Sequence, residues 1–372
     1  TTPLAMDTEF VDLVGISSDP KHVLITSQIN TSDTGTVVQT VDNVIIRSVT
    51  IDLTGTPAGS GAGRTAAYFP GRASTSISAG TSDGATATIT SDSHGLQTGD
   101  SVRITGSGNN DLNGAYTVTR IDNNSFTFPS TVNDSGGVGT ATERFDDTYI
   151  ENCVFSGTFS MRNGVDYAGT YKKCNAGDYA FAGNYAGASG GSSFSSGVFE
   201  DCVCGDTSFT NASGTFTRCR AGTSSFYFSA SGNFTDCVAE SGFGIASGTF
   251  LRCSTTASGV NWGSSIAGGS ATGVFTDCTM LFGDYQGTFS GKARNCRFVA
   301  LGSNADSLKV ATGAKIFDST LIATGTGESI TASSAATIQL AGCRMNKSIN
   351  SNVSNSLGTL TESFNLIDSD ID

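Results

Sequence analysis

Carboxylate side chains are the residues of this sequence best suited to chemistry. Two carboxylates in one groove can act as general acid and base on a glycosidic bond, and acids beside Arg and Lys can hold Ca²⁺. The candidates are Asp146, Asp147, Asp166, Asp178, Asp206, Glu240 and Asp284. Asp178 and Asp206 form the best pair, because each follows a cysteine by four residues. A solvated loop carboxylate is the simpler interpretation of each, so we expect no catalytic residue.

Histidine and cysteine chemistry is also limited. The sequence has two histidines, His22 and His94, so a Ser-His-Asp triad or a histidine metal site is not expected. We expect His94 to be a structural hydrogen-bonding residue. Nine of the ten cysteines recur at one position of a repeat, and Cys204 is the exception; this pattern favours buried free thiols over disulfides. We therefore expect no cofactor and no metal site.

The elements that carry these residues are set by the repeat itself. Its phrase is Gly-x-Phe/Tyr-x-x-Cys, with intervals of 16 to 28 residues between successive cysteine positions when Ser319, which takes the same place in AKIFDS, is counted among them. Clear copies end at Cys174, Cys202, Cys219, Cys237, Cys253 and Cys278, and looser copies end at Cys153, Cys296 and Cys343. One fixed phrase with filler of variable length is typical of a solenoid.

The residues of the phrase indicate which solenoid. Helical and leucine-rich patterns are absent, whereas the phrase alternates in the manner of a β-strand. The aromatic residue lies three positions before the cysteine, so both can point inward only if the chain bends between them. The sequence therefore predicts an all-β fold, a right-handed parallel β-helix whose coils each bury one aromatic ring and one thiol.

The residue just before each cysteine adds a charge pattern. The sign of the charge alternates along Lys173, Asp201, Arg218, Asp236, Arg252 and Asp277. Neighbouring coils stack about 4.8 Å apart, so in-register stacking brings opposite charges together. We interpret these residues as fixing the register and not as catalytic.

The chain divides unevenly along its length. The stretch near 85–142 lacks the phrase and consists of short alternating strands separated by Gly and Asn turns. The predicted domains are an N-terminal anchoring arm (1–40), the first β-helix coils with a Gly-rich loop (41–84), an inserted small antiparallel β-barrel domain (85–142), the parallel β-helix (143–345) and a C-terminal cap (346–372).

Composition restricts the partners. The 372 residues carry a formal net charge of −13, which argues against a duplex nucleic-acid ligand. No apolar run is long enough to span a bilayer, and the first residues show no secretory signal. Ten free thiols fit assembly in a reducing cytoplasm.

The insert carries a resemblance to a known class of modules. Its segments SHGLQTGDSVRITG, LNGAYTVTRID and NSFTF resemble small β-barrel modules of bacteriophage virion proteins, which are labelled after a subdomain of ubiquitin-activating enzymes. The match is carried by His94-Gly95-Leu96, Thr98-Gly99-Asp100, Asn113-Gly114 and Phe126. The predicted β-helix resembles the shafts of phage tailspikes, tail fibres and head spikes, which are usually homotrimers.

These resemblances imply a non-enzymatic phage virion protein. We expect a homotrimeric β-helical spike or decoration protein on the virion surface, attached to a capsid or tail protein through residues 1–40. It would touch a host-surface glycan and bind neither nucleic acid nor membrane. The alternative is a receptor-binding tail fibre or tailspike, with or without glycan depolymerase activity, and a cell-surface adhesin is a third option.

Aromatic residues bear on both alternatives. Trp262 and the cluster Phe226-Tyr227-Phe228 could line a glycan groove, or belong to the core or to trimer contacts. Phe243, Phe282 and Tyr285 are expected to be exposed on one chain and buried between copies.

Overall fold

The computed structural model is an almost entirely β-structured protein. It describes residues 4–7, 10–27, 34–39, 41–53, 64–68, 75–106, 112–135, 139–156, 166–178, 180–181, 194–223, 225–226, 229–240, 242–256, 270–282, 287–301, 306–357 and 366–367. The chain forms two compact units. The first comprises Thr1–Cys153, Met161–Thr170 and Gly183–Ser193, and the second comprises Val154–Ser160, Tyr171–Ala182 and Phe194–Asp372.

The first unit contains parallel sheets and an antiparallel insert. Its strands are β1 (Leu4–Met6), β2 (Asp12–Val14), β3 (Leu24–Ser27), β4 (Thr34–Gln39), β5 (Ile45–Arg47), β6 (Thr50–Leu53), β7 (Arg64–Tyr68), β8 (Thr75–Ile77), β9 (Ala79–Asp83), β10 (Thr86–Thr90), β11 (Ser101–Thr105), β12 (Gly114–Thr117), β13 (Thr119–Arg120), β14 (Ser125–Pro129), β15 (Asn133–Ser135), β16 (Gly139–Glu143) and β17 (Tyr149–Glu151). A short 3₁₀ helix spans Pro20–His22. Parallel pairing follows the orders β1-β4-β7, β2-β5-β17 and β3-β6, so successive coils stack strand on strand.

The second unit is a run of stacked coils. Its strands are β18 (Val154–Ser156), β19 (Thr170–Lys172), β20 (Asn175–Ala176), β21 (Val198–Glu200), β22 (Val203–Cys204), β23 (Thr215–Thr217), β24 (Arg220–Ala221), β25 (Ser229–Ala230), β26 (Asn233–Thr235), β27 (Val238–Ala239), β28 (Ile245–Ala246), β29 (Thr249–Leu251), β30 (Ser254–Thr255), β31 (Ser270–Ala271), β32 (Val274–Thr276), β33 (Thr279–Phe282), β34 (Thr288–Phe289), β35 (Lys292–Arg294), β36 (Arg297–Ala300), β37 (Leu308–Lys309), β38 (Lys315–Phe317), β39 (Thr320–Ile322), β40 (Ile330–Thr331), β41 (Ala336–Ala341), β42 (Arg344–Met345), β43 (Val353–Asn355) and β44 (Leu366–Ile367).

Two long sheets of the second unit are parallel throughout. One has the order β19-β21-β23-β26-β29-β32-β35-β38-β41-β43, and the other has the order β18-β20-β22-β24-β27-β30-β33-β36-β39-β42-β44. A third side is built from the short pairs β25-β28, β31-β34 and β37-β40. The predicted fold class is confirmed: the protein is a parallel β-helix with an inserted antiparallel domain.

The corner between the two long sheets explains how the phrase folds. The residue before each cysteine has a left-handed backbone, with φ of 50° at Lys173, 53° at Arg218 and 56° at Asp277. This conformation turns the chain between an inward aromatic side chain and an inward thiol, as the spacing of the phrase predicts. A left-handed backbone is unfavourable for most side chains, so the stacked neighbours must hold it in place.

The interior is filled by two columns of aromatic rings. The first column is Tyr171, Phe199, Phe216, Phe234, Phe250 and Phe275, whose successive centroids lie 4.6 to 4.9 Å apart. The second is Phe181, Phe209, Phe226 and Phe243, at 5.0 to 5.2 Å. Rings of the two columns meet edge to face, at angles of 65° to 90°. The expectation that Phe243 is exposed is wrong, because it is 1% exposed within the second column.

All ten cysteines are buried free thiols, as the repeat predicts. The Cys219 thiol donates to the carbonyl of Phe199 in the preceding coil at 3.4 Å, and Cys237 repeats the contact with Phe216 at 3.4 Å. Ser319 occupies the same position and donates to the carbonyl of Phe317 at 2.7 Å. Because a hydroxyl replaces a thiol there, this position selects a small hydrogen-bonding side chain and not sulfur chemistry.

The insert is a separate packing unit of two antiparallel sheets, β13-β14-β10-β9-β15 and β12-β11-β16-β8. Its core contains Ile89, Val102, Ile104, Phe126 and Phe128. It begins at β8, ahead of the predicted boundary at residue 85.

The segments predicted as an arm and a cap also contain strands of the parallel sheets. The segment predicted as an anchoring arm, 1–40, contains β1, β2, β3 and β4, which belong to the parallel sheets. The segment predicted as a cap, 346–372, contains β43 and β44, which extend the two long sheets. Among the described residues, no helix is long and apolar enough to cross a membrane.

Candidate functional site

The best sequence-predicted acid pair is engaged in turn formation. Asp178 Oδ1 accepts a hydrogen bond from the backbone N–H of Asp206 at 2.9 Å, and Asp206 Oδ1 accepts one from Thr223 N–H at 2.7 Å. Each carboxylate thus caps the turn of the next coil. A side chain at Gly205 or Gly222 would collide with these carboxylates, which accounts for the glycines. The arrangement is a structural repeat in which each carboxylate is held by a backbone N–H of the next coil.

Asp166 is engaged in a buried ion-pair cluster. Its Oδ2 lies 2.6 Å from Arg103 Nε and 2.8 Å from Arg144 Nε, and its side chain is only 1% exposed. Arg103 belongs to β11, and Arg144 directly follows β16. The cluster therefore fastens the insert to the segment that carries Asp166, and removing one partner would leave a buried charge uncompensated.

The other residues singled out from the sequence are described only in part. Glu240 is exposed on the surface of the second unit. Asp284, Trp262, Tyr227, Phe228 and Tyr285 lie outside the described residues, and Phe282 is described only in its backbone. Phe226, the described member of its aromatic cluster, is fully buried in the second ring column.

Three carboxylates do converge in the first unit. Asp146 and Asp147 meet Asp42, and one oxygen of each lies within 4.8 Å of the others. Asp42 accepts hydrogen bonds from the backbone N–H groups of Asn43, at 2.9 Å, and Asp147, at 3.1 Å. Burial, reinforced by the two neighbouring charges, raises the pKa of Asp42 from 3.8 to about 6.

This group is the described constellation most like a site, and the sequence reasoning missed one member. Asp146 and Asp147 were among the predicted acids, but Asp42 was not. It precedes the insert, whereas the other two follow it, so no local spacing signals their approach. Three acids at this separation could hold a divalent cation, although exposed acidic groups commonly cluster without one.

Gln39 lies beside this group. Its Nε2 donates to the carbonyl of Val41 at 2.7 Å and to Thr148 Oγ1 at 2.6 Å. These partners neighbour Asp42 and Asp147 in the chain. Its Oε1 is buried without a hydrogen-bond partner among the described residues. The side-chain amide of Gln39 therefore links the segment that contains Asp42 to the segment that contains Asp147.

His94 has a structural role, as predicted. Its Nε2 lies 3.0 Å from the carbonyl of Asp122 and 3.3 Å from that of Ser125. Its Nδ1 accepts from the backbone N–H of Leu96 at 3.0 Å, which places the proton on Nε2. With both nitrogens engaged, the ring fixes the turn of the insert and is not a free base.

The predicted charge alternation forms real ion pairs on the outer face. Arg218 Nε lies 2.6 Å from Asp201 Oδ1, and Arg252 Nε lies 2.6 Å from Asp236 Oδ1. Asn295 donates to Asp277 at 2.6 Å in the same row. The Arg218 hydrogen bond lowers the pKa of Asp201 below its usual value. These half-exposed pairs fix the register of successive coils and contribute little stability individually.

Comparison with known proteins gives a match among solved structures, at low similarity. No family model matches the chain, and no curated protein is significantly similar to it. Among solved structures, the tailspike protein of Pseudomonas phage LKA1 is similar at 14% identity, with a TM-score of 0.25, over 92% of this chain and 55% of the tailspike. The chain thus spans about half the length of that tailspike. At a TM-score this low, residues of the two chains are not matched one to one.

Proposed function

We propose that this protein is a non-enzymatic structural protein of a bacteriophage particle. It would act as a trimeric β-helical spike or decoration protein on the particle surface, assembled in the host cytoplasm. The observation that supports this most is the filling of the second unit by stacked rings and thiols. Such an interior suits a stiff shaft. Of the carboxylates that suggested catalysis, Asp178 and Asp206 cap turns and Asp166 is buried in an ion-pair cluster.

The first coil supports attachment through residues 1–40. Strands β1, β2 and β3 are edge strands of their sheets in the first unit. This coil also exposes large apolar side chains, namely Leu4, Phe10, Val11, Val14, Ile16 and Leu24. Exposed apolar residues beside open strand edges are typical of a surface that docks on another protein. A capsid or tail protein is the partner that the proposal assigns to it.

The insert supports the assignment to a phage particle through its sequence resemblance to virion modules. Its well-packed core and its ion-pair attachment through Asp166 fit a module carried by a structural protein. Immunogold microscopy of intact particles distinguishes a position on the head from one on the tail.

The proposal is tested on purified particles. Peptides of this chain should be found by mass spectrometry in nuclease-treated, gradient-purified particles from a host culture that produces it. Their absence from the particles, with the protein abundant in the lysate, would overturn the proposal.

Trimerisation and the lack of catalysis are tested separately. Sedimentation equilibrium should give three times the chain mass of 38.0 kDa at micromolar concentration. A single 38.0 kDa species would contradict a self-assembling trimer. Release of oligosaccharides from host capsule or lipopolysaccharide by the purified protein would replace the structural assignment with that of a depolymerase.

A further inference from the structure

Positive charge is concentrated in one part of this acidic protein. Residues 292–347 carry seven Lys and Arg against three Asp and Glu, although the whole chain has a net charge of −13. The seven are Lys292, Arg294, Arg297, Lys309, Lys315, Arg344 and Lys347. A local reversal of this size marks a surface suited to an anionic partner.

Strand register gathers the side chains of three of these residues and one aromatic ring into a compact surface. β35 and β38 pair in parallel, with Lys292 opposite Lys315 and Arg294 opposite Phe317. The intervening Ala293 and Ile316 are buried, so these four side chains point outward. We call Lys292, Arg294, Lys315 and Phe317 the basic face.

The neighbouring sheet extends this positive charge. Arg297 in β36 and Arg344 in β42 are both exposed, and each directly follows a cysteine of the repeat. Arg344 lies two coils above Arg297, since Arg297 pairs with Thr320 and Thr320 pairs with Arg344. Both arginines therefore flank the basic face across the corner of the helix.

The cations of the basic face differ from those of earlier coils. Lys172 lies 3.2 Å from Glu200, and Arg218 and Arg252 are paired with aspartates. By contrast, no carboxylate among the described residues lies within ion-pair distance of Lys292, Arg294 or Lys315. Lys292 and Lys315 instead oppose each other directly, an arrangement that is unfavourable in a sheet. A bound anion would relieve this repulsion.

We propose that the basic face binds an anionic polysaccharide, a chain of sugars bearing carboxylate or sulfate groups. Its acidic groups would lie between Lys292, Arg294 and Lys315, and the half-buried ring of Phe317 offers an apolar surface for a sugar ring. Together with Arg297 and Arg344, the positive surface extends over three successive coils, which suits a segment of an extended polymer. A nucleic acid is the competing polyanion, and the test below separates it from the polysaccharide by comparing the two ligands directly.

In its biological role this inference rests on the proposed function, because the polysaccharide would belong to a host surface. Binding itself is measured on the purified full chain and does not require a particle. Failure of the binding test therefore leaves the particle test untouched, and the reverse also holds.

The experiment compares two charge-removing variants. Binding to polygalacturonate, neutral dextran and single-stranded poly(dT) is measured by biolayer interferometry for wild type, for K292Q/K315Q and for K172Q/K173Q. The last variant removes two lysines that lie beside the acids Glu200 and Asp201 of the next coil. Thermal unfolding of each variant establishes that it is folded.

The proposal predicts that wild type binds polygalacturonate but not dextran, and that added salt weakens the binding steeply. K292Q/K315Q should bind about tenfold more weakly, and the control within about twofold of wild type. A second pair keeps the test decisive if K292Q/K315Q does not fold. R297Q should weaken binding, whereas R220Q, at the equivalent position after Cys219, should not.

Three results would overturn the proposal. They are no binding of polygalacturonate at low salt, equal loss in the basic-face and control variants, and binding of poly(dT) with no binding of polygalacturonate. The last result would assign the surface to nucleic acid instead.

Discussion

Truncation of Phe216 to alanine tests whether the ring columns hold the coils together. Phe216 is fully buried and touches four rings: Phe199 and Phe234 stack on it at 4.8 and 4.9 Å, and Phe209 and Phe226 meet it edge to face at 5.4 Å each. Its removal opens a cavity between three successive coils. Each coil of a solenoid is stabilised mainly by its neighbours, so both interfaces are weakened.

The magnitude follows from burial and ring contacts. Replacing a buried Phe by Ala typically costs about 3–5 kcal/mol of unfolding free energy. Each aromatic pair contributes about 0.5–1.5 kcal/mol beyond area burial, which places Phe216→Ala at the upper end, about 5 kcal/mol. Phe289 is equally buried, but its rings are tilted at 5.8 and 6.1 Å, so Phe289→Ala should cost about 3 kcal/mol.

Urea unfolding followed by circular dichroism measures these differences, with Phe317→Ala as an outward-facing control. The control should lose at most about 1 kcal/mol, because the Phe317 ring is only half-buried. A loss for Phe216→Ala no larger than that of the control would refute the claim that the ring columns carry the stability of the helix.

Three further predictions concern the thiols and the carboxylates. Ellman's reagent should label none of the ten cysteines in the native protein and all ten in urea, because all ten are buried. At Cys153, burial also raises the pKa of the thiol to about 11. Rapid labelling of two or more cysteines in the native protein would contradict this. Because the pKa of Asp42 is raised to about 6, the folded state holds its proton more tightly and stability falls as pH rises from about 4 to about 6. The free energy of unfolding of Asp42→Asn should therefore match that of wild type near pH 4 and exceed it by about 1 kcal/mol at pH 7. The difference is modest because the carboxyl is only half-buried. An equal difference at both pH values in urea titrations would count against this. Asp206→Ala should lower the free energy of unfolding by about 1 kcal/mol, because it leaves the Thr223 N–H without its acceptor. Asp206→Asn retains an acceptor and should lose less. Equal losses in urea unfolding would show that this side chain does not act as a turn cap.

The second unit was largely predictable because its determinants are local. Gly-x-Phe-x-x-Cys fixes the inward ring, the inward thiol and the bend between them within six residues. The left-handed conformation of Arg218 and Asp236 is the bend that this spacing demands. The charge alternation was equally readable, because stacking in register converts sequence order into spatial neighbours.

Features that depend on non-local packing were not predictable. Phe226 and Phe243 belong to a second ring column, but they fall at irregular distances from the phrase. Phe243 was therefore expected at the surface, and the sequence left the place of Phe226 open. The first coil lacks the phrase altogether, so its strands were assigned to an arm. Asp42 meets Asp146 only because the insert folds as a unit between them.

The measurement that tests the central claim most directly is immunogold electron microscopy of intact particles with antibodies raised against residues 143–345. The account predicts label on the particle surface, spread over the head for a decoration or head-spike protein, or confined to the tail for a fibre or tailspike. Intact particles without label, alongside labelled free protein in the same lysate, would contradict the assignment to the virion surface.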